Sequence, residues 1–99
     1  MSTILVTLIT FTDRDEYAHY ARMAGELFMA EGVQVHVNDE SPEVVAGEIE
    51  ADKVVVLEFR DDAHMNAVLG SDDYKAALVH REKAIRIRTL KVRRFPRPG

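Results

Sequence analysis

Along residues 3–11, TILVTLITF, apolar and β-branched side chains fill both phases of a two-residue repeat. The pattern predicts a strand with Ile4, Val6 and Leu8 on one face and Leu5, Ile9 and Phe11 on the other. Such a strand must be covered on both faces. The period then changes. Tyr17, Tyr20, Ala21, Ala24, Leu27 and Phe28 recur at helical spacing, with Arg14, Asp15, Arg22 and Glu26 off that stripe. Asp13 with Glu16 forms a capping pattern at the start of this helix, and Gly32 ends it near residue 31. Residues 33–38, VQVHVN, alternate again, which puts Val33, Val35 and Val37 inward and Gln34, His36 and Asn38 outward. After the turn DESP at 39–42, an extended stretch at 43–49 is expected to pair as a hairpin with the strand KVVVLEF at 53–59. In that strand Val54, Val56 and Glu58 share one face, and Val55, Leu57 and Phe59 the other. Asp61 or Asp62 caps a short helix running to about Leu69, and Gly70-Ser71 breaks it. Ser71 caps a second helix over 72–82, with Tyr74, Ala77, Leu78 and Arg81 on its inner face. A last strand spans 86–94. The phase slips between Ile85/Ile87 and Leu90/Val92, which predicts a bulge or a late start there.

The order β-α-β-β-α-β, with one optional extra strand, is that of the ferredoxin-like plait, an α+β fold with an antiparallel sheet and helices on one face. Residues 1–94 make the single domain, and FPRPG at 95–99 a short basic tail. The helices of this fold cover one sheet face only, while strands 3–11 and 53–59 are apolar on both. A second copy packed sheet against sheet is the economical cover, so a homodimer is expected, with a partner protein at the same face as the alternative.

Composition adds limits. The chain has 99 residues, 46% hydrophobic and 30% charged, and no cysteine. Disulfides and thiolate metal sites are excluded, which fits a reducing cytoplasm. The N-terminal run lacks a basic segment and a cleavage site, and it is too short to span a bilayer, so no membrane association is expected. Net charge is −4 and unevenly spread: residues 1–80 carry 16 acids against 5 Lys or Arg, and residues 81–99 carry 1 against 8. Nucleic acid is not an expected partner, because the acidic body repels phosphates and the basic end has one aromatic, Phe95.

Several segments together resemble the uncharacterised domain-of-unknown-function family 1330: PEVVAGEI at 42–49, VVVLEF at 54–59, SDDYKA at 71–76, REKA at 81–84, and the opening VTLITFTDRDEYAHYARMAG. The resemblance implies a dimeric α+β barrel, a fold shared with antibiotic-biosynthesis monooxygenases and muconolactone isomerases. It supplies no reaction. Family members often carry an Arg-Gly-Gly turn after the second strand, where this chain has Asn38-Asp39-Glu40.

Glu58 is the first candidate for chemistry, since a carboxylate within an apolar strand needs a partner or a raised pKa. Arg81, on the inner face of the last helix, is the expected partner. It would hold an anionic group or tune Glu58. The structural alternative is a Glu–Arg or Glu–backbone contact at the strand end. Tyr20 and Tyr74 have apolar bodies and polar tips, suited either to the core edge or to orienting a ligand. His19, His36, His64 and His80 follow no metal-ligand spacing, so no metal is expected. Nucleotide-binding glycine motifs and nucleophile elbows are missing, and no cofactor is expected. Two functional readings stand. One is a small-molecule-binding homodimer with cofactor-free chemistry on a small organic substrate, using Glu58 as acid or base. The other is a dimerising or ligand-sensing module with no chemistry.

Overall fold

The computed structural model describes residues 1–96; the end of the basic tail, 97–99, lies outside the described residues. The elements run β1 (Thr3–Phe11), α1 (Arg14–Ala30), β2 (Gln34–Asp39), β3 (Lys53–Phe59), α2 (Asp62–Leu69), α3 (Asp72–Ala84) and β4 (Ile85–Val92). The strands form one antiparallel sheet in the order β2-β3-β1-β4. This is the ferredoxin-like arrangement, with the helices packed on one face.

The helix boundaries follow from local hydrogen bonding. The Asp13 carboxylate accepts from the backbone N–H groups of Asp15 and Glu16, each at 3.1 Å. Asp61 does the same for His64, and Ser71 Oγ for Tyr74. These caps satisfy donors that a helix start leaves unpaired. Gly32, with φ of 72°, takes the left-handed position after α1 that a Cβ would strain.

The core lies between helices and sheet. Leu5, Ile9, Leu57 and Phe59 meet Tyr20, Ala24, Leu27 and Phe28 of α1 and Tyr74 and Ala77 of α3. Phe59, 1% exposed, is its most enclosed large side chain. On the other face Ile4, Val6, Leu8, Val54 and Val56 are only half-buried, and Leu90 is 68% exposed. One sheet face is therefore covered and the other is open.

Three expectations need correction. Residues 43–49 are not a strand. Both edges of β3 are taken, by β1 and β2, so no site is left for that segment to pair. Pro42 lacks an N–H, and Gly47 has φ of 81°, which breaks the extended run. The loop is instead tied to the sheet end: Asp52 N–H donates to Ile9 O, and Phe11 N–H to Asp52 Oδ2. The bulge falls in β2, not in the last strand. Val35 pairs with Leu57 and Val37 with Val56, which leaves His36 as the extra residue. Val35 and Val37 thus serve opposite faces, and both are exposed, at 52% and 39%. β4 keeps unbroken register with β1. Its apparent slip reflects two apolar sets: Ile85 and Ile87 opposite Phe11 and Ile9, and Leu90 and Val92 opposite Val6 and Ile4.

Candidate functional site

Between the helices and the covered sheet face lies a cavity of about 330 Å³. Its floor comes from alternate residues of the strands, among them Leu5, Val55, Leu57 and Ile87, and its roof from α1 and α3. The period-2 alternation sends these side chains to one face, and the helical stripe sends Tyr17, Tyr20 and Phe28 down onto them.

Tyr20, Tyr74 and Arg81 all line this cavity. The two tyrosine hydroxyls are 2.8 Å apart in a buried hydrogen bond. Arg81 Nη1 donates to Tyr74 Oη at 3.2 Å. Phe28 stacks against Tyr74 at 6.1 Å between centroids, which fixes the ring. Burial, reinforced by the neighbouring Tyr74 hydroxyl, pushes the Tyr20 phenol well above its ordinary range, so it stays protonated.

Glu58 is elsewhere. It lies on the open face opposite Ile4 and Gln34, while Arg81 projects from a helix on the covered face. The expected Glu58–Arg81 pair does not form, because strand parity puts the two on opposite sides of the sheet. Glu58 instead accepts from Arg94 Nη2 at 2.6 Å and contacts His36 Nε2 at 2.6 Å. The Ser2 hydroxyl, Arg94 and His36 hold its carboxyl down at about 2. Its tolerance within an apolar strand has this cause: the carboxylate is paired on the open face near the strand end.

One lining residue went unrecognised in the sequence. Lys53 is 5% exposed and borders the cavity. Its ammonium lies 4.9 Å from the centre of the Tyr17 ring and 3.5 Å from Glu40 Oε1. The signal was its parity, since Lys53 shares the inward phase of Val55 and Leu57. Among the histidines, His64 is buried; its Nδ1 accepts from Arg60 N–H and its Nε2 donates to Glu31 O, which ties α1 to the start of α2. His80 contacts Glu16 at 2.7 Å, and its ring lies 5.5 Å from that of His19. Among the described residues no group of three or more His, Asp or Glu is disposed to hold a metal, and no helix is long and apolar enough to cross a membrane.

Solved structures share this fold. A protein of unknown function from Rhodopseudomonas palustris superposes with a TM-score of 0.85 at 18% identity, over 97% of this chain and 84% of its own. SnoaB, a cofactor-independent oxygenase from Streptomyces nogalater, gives 0.68 at 7% identity, over 97% and 95%. A dimeric ferredoxin-like protein of unknown function from Thermobifida fusca gives 0.64 at 14%, over 93% and 90%. At these identities the likeness establishes the fold. No functionally curated protein matches the sequence. The family model described as Domain of unknown function (DUF1330) matches residues 3–95, nearly the whole chain, and the protein belongs to that family.

Proposed function

We propose that this protein is a small-molecule-binding homodimer. The observation that carries the binding reading is the cavity, whose volume falls at the small end of the ~300–1,000 Å³ usual for organic ligands. Its wall is mostly apolar, with a short polar chain from Arg81 through Tyr74 to Tyr20. Such a lining suits a small, partly apolar organic molecule held by one polar end. The dimer reading rests on the open sheet face, whose half-buried Ile4, Val6, Leu8, Val54 and Val56 are what a second sheet would cover. The dimeric fold neighbour supports the same arrangement. In it, Glu58 with His36 and Arg94 belongs to the space between two sheets rather than to the cavity.

Between enzyme and sensor, the lining favours binding without proton transfer. Among the described residues no carboxylate borders the cavity, and the Tyr20 phenol stays protonated. A catalytic Glu58 would act only on a ligand held at the open face. Native mass spectrometry of freshly purified protein tests both halves of the reading. The expected spectrum is a dimer that carries a retained small molecule or takes one up. A monomer would remove the dimer, and a chain that retains and accepts no organic molecule would remove the binding role.

A further inference from the structure

The charges around the cavity are one-sided. Among the described residues two cationic side chains, Lys53 and Arg81, line it, and no aspartate or glutamate does. This holds in a chain that carries 17 acids against 13 Lys and Arg. Lys53 is buried almost completely. Its acidic neighbour Glu40 lies on the loop between β2 and β3, is 72% exposed in its side chain, and sits at 3.5 Å, beyond a good charge-assisted hydrogen bond. A buried ammonium with so weak a counterion is costly unless a second anion completes it.

The neutral groups lean the same way. Tyr20 and Tyr74 have two hydroxyl protons between them, and their mutual hydrogen bond uses one. Arg81 brings its own proton to Tyr74. One phenolic proton therefore has no acceptor among the described residues, beside the free N–H groups of Arg81. The strands also present the Thr7 and Thr89 hydroxyls and the Asn38 amide, which can donate or accept, so the fixed charges of Lys53 and Arg81 set the polarity of an otherwise mostly apolar floor.

We propose that the ligand of this cavity is an anion: a small organic carboxylate with an apolar body, recognised by Lys53 and Arg81. This rests on the small-molecule reading above and narrows it to a chemical class. Glu40 is then the internal competitor. It holds Lys53 in the empty protein and gives way when the carboxylate enters.

Calorimetric titration with matched probes tests this. Benzoate and benzamide share a shape and differ in charge, as do hexanoate and hexanamide, and toluene reports the apolar cavity alone. The expected result is that each carboxylate binds about tenfold or more tightly than its amide, the scale of one charge-assisted contact. Lys53→Met and Arg81→Met each lower that preference severalfold and leave toluene unchanged. Glu40→Gln, a surface change that spares the core, tightens carboxylate binding about threefold by removing the competing charge. Amides that bind as well as carboxylates would overturn the proposal, as would a full preference in either cation variant or an unaltered affinity in Glu40→Gln. In those cases binding of the neutral probes keeps the cavity reading. If none of the five probes binds at millimolar concentration, the cavity reading falls with it.

Discussion

Glu58 lies on the open face of the sheet, where its carboxylate meets Arg94 and His36. Its ionised form is stabilised by the Ser2 hydroxyl, Arg94 and His36, so its pKa falls from an ordinary 4.5 to about 2. Lowering a carboxyl pKa on folding contributes stability that is complete above about pH 4.5 and is lost as pH falls through about 2. Asp62 acts with the same sign, through the Thr3 hydroxyl first and Lys91 second. Urea denaturation at stepped pH and fixed protein concentration checks the sign. Glu58→Gln should be less stable than the wild type at neutral pH, with a shallower loss of stability between those two pH values. Acid limbs of equal slope would show that the carboxylate gains nothing on folding. Arg81 has a different task, since its hydrogen bond to Tyr74 sets the polar end of the cavity.

Among the elements, α3 connects sequence signal to site most directly. Ser71 Oγ accepts from Tyr74 N–H at 3.2 Å and donates to Val68 O at 2.7 Å, so it ends one helix and starts the next. Ser71→Ala should cost about 1 kcal/mol, a fall in melting temperature of about 4–8 °C for a domain this size. Calorimetry measures it, and a change within error would show that the helix start is held by packing alone. The cap, the helical stripe ending at Phe28 and the two-faced β1 were legible because each depends on neighbours within a few residues. The bulge at His36 was not. VQVHV alternates cleanly, and only the register against β3 reveals that Val35 and Val37 face opposite ways. The segment at 43–49 misled for the same reason, because its β-branched residues cannot show that both edges of β3 are filled. Lys53 was legible by parity; its burial under Tyr17 depended on a helix residue more than thirty positions earlier in the chain.

For the molecule as a whole, the division between a covered and an open sheet face organises everything else. In the homodimer reading, Val56 lies near the middle of the buried area, opposite both Val6 and Val37. A lysine there would place an unpaired charge between two apolar sheets. Val56→Lys should therefore yield a folded monomer or a dimer weakened at least a hundredfold, read by sedimentation equilibrium together with circular dichroism. A variant as dimeric as the wild type would move the interface off this face. The uneven charge also resolves at this scale. Three cations of the basic end pair within the chain: Arg86 with Glu50, Lys91 with Asp62 and Arg94 with Glu58. The central place of β1 has a consequence for how the protein is made. Its two sheet neighbours are β3 and β4, and β4 is the last of the four described strands to leave the ribosome. Of the four strands, β1 is synthesised first and completed last, so its edge toward β4 stays unpaired until residues 85–92 emerge. Chaperone demand and aggregation during expression should track the exposure of residues 3–11, and a stalled chain ending before residue 85 would be the species to watch.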